Sequence, residues 1–215
     1  DNKIIDIKTI LTSLSRVSQS NQEMTSSSFS IFMQDLLKQS PHINNVMYAS
    51  KVLEKDKISF ETYMKDNGYY NFNINSYDKV NKKFTSSPIQ EQYTPVVLLE
   101  PSTYKFTKYI GYDILHNKSL QESFHKATET AKVISENSNI INNTDALFFI
   151  KSAYFGESIP ILEDDRIQNL KGFYILNIDV EKMLKEYIEL YLDYELHIIS
   201  SSDIEYYVNK EKNSD

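Results

Sequence analysis

Four glycines in 215 residues set the first limit on this chain. They stand far apart, at Gly68, Gly111, Gly156 and Gly172. No glycine-rich turn can gather backbone N–H groups around a phosphate. That excludes a P-loop and a GxGxxG dinucleotide turn, and the G-x-S-x-G nucleophile elbow is missing as well. Cysteine is absent, which removes disulfides, thiolate chemistry and cysteine-based metal sites and leaves the compartment open. The net charge is −7, from 23 basic and 30 acidic residues. Lysines such as Lys79, Lys82 and Lys83 read as a solvated face and not as a basic stripe, so nucleic acid is a poor partner. No apolar run approaches the roughly 18 residues that a membrane span needs. The longest, Pro95–Leu99 and Ala146–Ile150, are strand-sized. The chain starts at Asp1 and not at Met, which reads as an excised or processed piece, so the missing span says nothing of a parent protein. With 40% hydrophobic residues, it can build one large core or two small ones.

Periodicity supplies the elements. Ile4, Ile7, Leu11 and Leu14 recur three and four apart, an amphipathic helix with two heptads of a coiled-coil seam. The same stripe fits a helix packed on its own domain, and both readings stand. Residues 18–28 are polar, a loop or the polar part of a longer helix. Phe29, Phe32, Met33, Leu36 and Leu37 resume helical spacing until Pro41. A second helix is expected from Ser50, a good N-cap, through Val52, Phe60 and Met64 to a stop at Asn67–Gly68. Tyr70, Phe72 and Ile74 alternate with asparagines as in a strand with one wet face. Residues 76–92 read as a long surface loop, and Tyr93–Leu99 as a strand buried on both faces. A short helix follows Pro101, Tyr109–Leu115 looks extended, and Ser119 opens a helix carrying Leu120, Phe124, Ala127 and Ala131. Ala146–Tyr154 is a buried strand, and residues 155–169 are a connection. The chain closes with a strand (Leu170–Ile178), a helix carrying Val180, Met183, Leu184, Tyr187 and Ile188, and two strands, Tyr194–Ser200 and Ile204–Val208. This irregular alternation is α+β, with two subdomains divided near residue 165.

Sites of known chemistry do not emerge. His42, His116, His125 and His197 include no i, i+4 pair, and HExxH is absent. Glu163-Asp164-Asp165 lacks the alternating ligands and turn glycine of an EF-hand loop and reads as a solvated acidic loop. Asn117-Lys118-Ser119 and Asn142-Asn143-Thr144 match the glycosylation sequon, which arises often by chance in an Asn-rich chain. The sixteen tyrosines suit stacking on a planar ligand, but tyrosine is also an ordinary strand residue. No nucleophile–base pair can be placed, and no enzyme is expected.

Three blocks carry more. The first is Pro41-x-Ile43-x-x-Val46-Met47-Tyr48-Ala49-x-x-Val52, followed by Asp56-Lys57-x-x-Phe60-Glu61. The second is Tyr93-Thr94-Pro95-Val96-x-x-x-Glu100-Pro101, then Gly111-Tyr112-Asp113. The third is Ala127-x-x-Thr130, then Ala146-Leu147-Phe148-Phe149-Ile150-x-x-x-Tyr154, then Leu170-x-Gly172-Phe173. In order and spacing they resemble the CHASE domain, the extracellular sensory module of membrane-bound histidine kinases and of nucleotide or diguanylate cyclases, best known from plant cytokinin receptors. The resemblance spans about Phe29 to Leu184.

The resemblance implies an α+β fold in which a long N-terminal helix carries two PAS-like subdomains. The expected divisions are a helical stalk over residues 1–40, a membrane-distal ligand-binding subdomain over 41–165 and a membrane-proximal one over 166–215. It also implies a homodimer through the stalk helix, in the extracytoplasmic (periplasmic) part of an inner-membrane receptor, without cofactor. In cytokinin receptors an aspartate matching Asp113 accepts hydrogen bonds from adenine. Physically, a carboxylate at the mouth of an apolar strand needs a partner, and a cap on the following turn or a protein cation would serve equally well. Lys57 stands for the family's usual Arg, Ser152-Ala153-Tyr154 for Pro-Val-Tyr, and Lys151 for a phenylalanine that meets the ligand. The expected ligand site is Asp113, Tyr93, Val97, Ile150, Lys151 and Thr130, with Lys151 inside only if its strand register turns it inward. Asp113 with Lys151 would suit a zwitterion or organic acid better than an adenine-like ligand. Cytokinins are therefore expected not to bind tightly. The rival reading is a ligand-free protein-interaction or adhesion module.

Overall fold

The structure, a computed structural model, describes residues 2–19, 24–78, 80–101, 103–138, 146–188, 196–199 and 205–208. Its first half contains α1 (Asn2–Gln19), α2 (Ser26–Gln39), β1 (Ile43–Ser50), β2 (Val52–Leu53), α3 (Lys57–Asp66), β3 (Asn75–Asp78), β4 (Lys83–Ser86), β5 (Gln92–Tyr93) and β6 (Val96–Glu100). The second half contains α4 (Tyr104–Thr107), α5 (Lys118–Thr130), β7 (Ile134–Ser138), β8 (Ala146–Tyr154), α6 (Glu163–Gln168), β9 (Leu170–Ile178), α7 (Val180–Ile188), β10 (Leu196–Ile199) and β11 (Glu205–Val208).

The longest apolar runs build the centre. β9 is buried along nearly its whole length, as is β1, which is what a strand covered on both faces requires. They lie side by side in a five-stranded sheet of order β6-β1-β9-β8-β7, antiparallel at every step. Three short hairpin-like pairs, β2–β5, β3–β4 and β10–β11, complete the described strands. The division expected from the sequence falls near residue 165. β9 lies beyond that point and yet forms the middle of the sheet, so the sheet is complete only at Ile178.

Helices cover both faces. On the first, Ile7, Leu11 and Leu14 of α1 and Phe29 and Met33 of α2 join Val46, Tyr48, Phe149, Tyr174 and Leu176 in one core. The α1 stripe therefore packs on the chain's own sheet, pinned by Ser15 Oγ donating to the Ser152 carbonyl at 3.0 Å. On the second face, Leu120, Phe124 and Ala127 of α5 meet Met47, Phe148, Ile150, Phe173 and Ile175. Phe124 and Phe173 touch edge to face, with ring centroids 4.6 Å apart.

Several local expectations change. The helix expected from Ser50 begins only at Lys57, because 43–53 are taken by β1 and β2. A short continuous apolar run such as Val46–Ala49 cannot be told from helix by periodicity alone. Its expected stop holds: Gly68 has φ +97° and its N–H donates to the Lys65 carbonyl at 3.2 Å. Tyr70–Ile74 is not a strand. Phe72 closes a turn on Tyr69, and the Ile74 N–H is taken by the Glu61 carboxylate at 2.8 Å. Residues 76–92 hold the β3–β4 hairpin, paired from Asn75↔Ser86 to Asp78↔Lys83. Asp78 closes its turn by accepting the Val80 and Asn81 N–H groups. Tyr109–Leu115 is irregular, tied by single bridges Asn75↔Tyr112 and Pro95↔Asp113 before a 3₁₀ turn at Ile114–His116. Glu163-Asp164-Asp165 is exposed but helical, opening α6 with acidic side chains in its first turn, where the helix dipole favours them. The Asn142 sequon lies outside the described residues.

Candidate functional site

Asp113 is fully buried. Its Oδ1 accepts the Thr94 N–H at 2.9 Å and its Oδ2 accepts the side-chain amide of Gln90. Burial pushes its pKa up, against the opposing pull of those two bonds. Gly111 sets this position from two residues before: at φ +85°, a Cβ there would stand 2.3 Å from the Asn73 carbonyl oxygen. The Gly-Tyr-Asp block thus has a structural role, locking the 90–94 segment to the 111–113 turn. Tyr93 belongs to the same cluster. Its hydroxyl donates to Glu54 and accepts the Gln90 N–H at 3.3 Å, and Lys57 Nζ lies 4.6 Å from its ring centroid.

The other expected residues lie apart. Val97 is the extra residue of a β-bulge, where pairing steps from Tyr48↔Leu98 to Ala49↔Val96. Val97 and Leu98 therefore both join the core on the α1–α2 face. Ile150 is on the opposite face, in the α5 core. Lys151 is buried; at two-residue spacing it shares a strand face with Phe149 and Ala153, which belong to the α1–α2 core. Its Nζ donates to the Ala131 carbonyl. Burial lowers its pKa, and Arg16 of α1 lowers it further. Thr130 is exposed at the end of α5, donating to the Lys126 carbonyl at 2.6 Å and accepting the Lys132 N–H at 3.2 Å. The pairing of Asp113 with Lys151 is not formed. β1 and β9 stand between β6 and β8, so the two strands are roughly 14 Å apart.

The open space lies elsewhere, over β1, β6 and β9 on the α1–α2 face. A cavity of about 360 Å³ is lined on the sheet side by Tyr48, Ser50, Val97, Leu98, Lys171 and Tyr174. α3 contributes Phe60, Tyr63, Met64 and Asn67, with Tyr69 just beyond it. The start of α2 closes it with Met24, Thr25, Ser26 and Ser27. Thr25 is the N-cap, its Oγ1 accepting the Ser28 N–H at 3.2 Å. On the floor, Tyr48 and Tyr174 stack with centroids 4.8 Å apart and planes tilted by 38°. Gly172 makes room for that floor: a Cβ there would meet the Ala49 carbonyl at 2.3 Å and the Tyr48 hydroxyl at 2.9 Å. Neither Asp113 nor Lys151 is among the lining residues. A second cavity of about 430 Å³ lies between α2, Leu99–Glu100 and Thr107–Ile110. It shares Ser26, Ser27 and Tyr69 with the first, so the Tyr69–Ser26 hydrogen bond of 3.1 Å stands in the wall between them.

Of the expected site, Val97 alone lines the first cavity. Tyr48 and Phe60 belong to the first sequence block, which is the signal pointing to them. Tyr63, Tyr69 and Tyr174 carry no signal beyond the richness in tyrosine. Chemically the cavity offers aromatic and thioether walls with serine and threonine residues at one end, a lining that suits a small-molecule site. Among the described residues no group of three His, Asp or Glu side chains could hold a metal ion. No helix among them is long and apolar enough to cross a membrane.

No curated protein matches the chain. The sequence model of the CHASE domain matches residues 22–208, most of the chain. The match takes in both sheet edges, the cavity and the Asp113 cluster. The chain thus belongs to the CHASE domain family, the extracellular sensor modules of signalling receptors.

Proposed function

We propose that this chain is the ligand-binding part of a membrane-anchored bacterial receptor, a histidine kinase or a diguanylate or nucleotide cyclase, and that a small molecule occupies the cavity over β1, β6 and β9. The observation that carries this reading is the cavity itself: space of about 360 Å³ left open against the central strands of the sheet. A ligand-free interaction module would fill that space with its own side chains. In this reading the sheet of residues 43–178 with its helices is the membrane-distal PAS-like unit. The segment from α7 onward belongs to the membrane-proximal one, outside the inner membrane.

Signalling follows from what the ligand would touch. The first turn of α2 forms one wall, and Tyr174 of β9 forms the floor. β9 runs into α7 through Asp179, whose N–H donates to the His42 carbonyl at 2.8 Å and whose side chain accepts the Lys182 N–H. A ligand that binds more tightly with one position of the α2 turn shifts the population toward that position, by no more than its differential affinity. Pairing of two copies through the stalk remains part of the proposal on family grounds. The apolar stripe of α1 does not support it, since that stripe is used inside the chain. Asp113 acts as a positioning residue, holding the segment that leads into β6.

The test is a full-length receptor carrying Val97→Trp, which fills the cavity from the bulge. Output that no longer responds to stimulus, in a receptor still present in the membrane, is the expected result. A normal response would overturn the assignment of the site.

A further inference from the structure

We infer that the two cavities are consecutive compartments of one ligand site, with the Tyr69–Ser26 hydrogen bond as the partition between them. The ligand class is an elongated small molecule whose apolar tail displaces that bond. This deepens the sensor reading and rests on it.

Three observations converge. The first is the shared wall. Ser26, Ser27 and Tyr69 line both cavities, and across that wall the Tyr69 hydroxyl donates to Ser26 Oγ at 3.1 Å. This bond joins two side chains at the solvent edge, and a neutral hydrogen bond there gives little net stability, because water replaces either partner. The second is how its two ends are held. Tyr69 follows the stop of α3: its N–H donates to the Met64 carbonyl at 3.1 Å and its carbonyl accepts the Phe72 N–H at 2.7 Å. Its ring meets Phe72 edge to face, with centroids 6.4 Å apart. Ser26 opens α2 directly after the N-cap Thr25. The partition therefore opens by rotation of these two side chains or by a shift of the α2 turn, the movement on which the sensor reading depends. The third is the character of the second cavity. Phe29, Ile31, Leu99 and Ile110 give it apolar walls, with Ser30, Thr107 and Glu100 as polar members. Each methylene buried in such a space tightens binding by roughly fourfold, so a short run of chain beyond the partition outweighs the one bond it breaks. The head of the ligand stays in the first cavity, where Tyr48, Tyr174 and Phe60 offer ring contacts.

The experiment is calorimetric titration of the whole chain with two uncharged probes, phenylethanol and phenyldecanol, which share a ring and differ in chain length. The long probe is expected to bind more tightly. Tyr69→Phe keeps the ring and removes the donor, so the ratio of the two dissociation constants should shift about three- to tenfold toward the long probe. Ser26→Ala should shift it equally, and the double variant no further, because each removes the same bond. Ser30→Trp, which fills the second cavity, should shift the ratio about tenfold the other way. A ratio unmoved by Tyr69→Phe, or unmoved by Ser30→Trp, would overturn the two-compartment site while leaving the first cavity in place. Phenylethanol binding that survives both Val97→Trp and Ser50→Leu would overturn the sensor cavity itself. Absence of binding by both probes overturns the inference. Far-ultraviolet circular dichroism of each variant separates loss of binding from loss of fold.

Discussion

The two faces of the central sheet are built from the same strands and end up with opposite characters. Toward α5, aromatic rings interlock edge to face, and even the Tyr154 hydroxyl is satisfied, donating to the Thr128 carbonyl at 2.8 Å. Toward α2 and α3, Tyr48 and Tyr174 touch each other on the sheet, and open space lies between them and the helices. A face that only had to hold the fold would close, because a void forfeits dispersion contacts on one side. The difference teaches that close packing is concentrated on one face and open space on the other.

The largest effect should come from breaking the packed face. Phe173→Ala is expected to cost about 3–5 kcal/mol in chemical denaturation. Phe60→Ala, on the open face and already half-exposed, should cost much less. Equal costs would remove the contrast.

Next comes Asp113, which the comparison assigns to architecture. Asp113→Ala leaves the Thr94 N–H and the Gln90 amide without this partner, an expected loss of roughly 2–6 kcal/mol at about 1–3 kcal/mol per group. Asp113→Asn keeps an acceptor and removes the buried charge. Because the folded pKa lies above the ordinary value of 3.8, the folded state holds the extra proton between the two values. Stability from this group is thus full below pH 3.8 and falls as pH rises through the raised value. Denaturation midpoints measured across that window should fall with pH in the wild type, and Asp113→Asn should remove this contribution.

A smaller effect tests the sheet between the faces. Asn45 and Asn177 are fully buried, directly opposite in β1 and β9, and neither amide atom of either residue has a hydrogen-bond partner. Replacing both with leucine should stabilise by about 1–3 kcal/mol; destabilisation would show that the amides find partners. Smallest of all, Ala131 sits at φ +53° after α5. Ala131→Gly should raise stability by about 1 kcal/mol or slightly less, measurable as a small rise in Tm.

Much of the scaffold was legible from residue spacing, and the reason is length. The nine-residue strands 146–154 and 170–178, the α5 stripe and the α7 stripe each repeat their pattern often enough to fix the period. Short or irregular segments were not legible. Val46–Ala49 is too brief to separate strand from helix. The alternation at Tyr70–Ile74 reflects burial of Phe72 and Ile74 in turns, and the β3–β4 hairpin is too polar to announce itself. The α1 stripe was legible as a helix face but not as to what it faces, since a dimer seam and an own-domain contact use the same spacing. The site was least legible. Asp113 and Gly111 stand out in sequence because the turn requires them, whereas Tyr48, Phe60 and Tyr174 converge only through the pairing of β1 with β9 beside α3.

The central claim is that ligand recognition belongs to the open face and architecture to the Asp113 cluster. Its most direct test is a thermal-shift screen of amino acids, organic acids, nucleobases and aromatic acids on wild type, Val97→Trp and Asp113→Asn. A ligand at a hundred times its dissociation constant stabilises by about 2.7 kcal/mol, a rise in Tm of roughly 5–10 °C for a chain of this size. The account predicts a shift that Asp113→Asn retains and Val97→Trp abolishes. A shift retained by Val97→Trp and abolished by Asp113→Asn would contradict it and return the site to the Asp113 cluster.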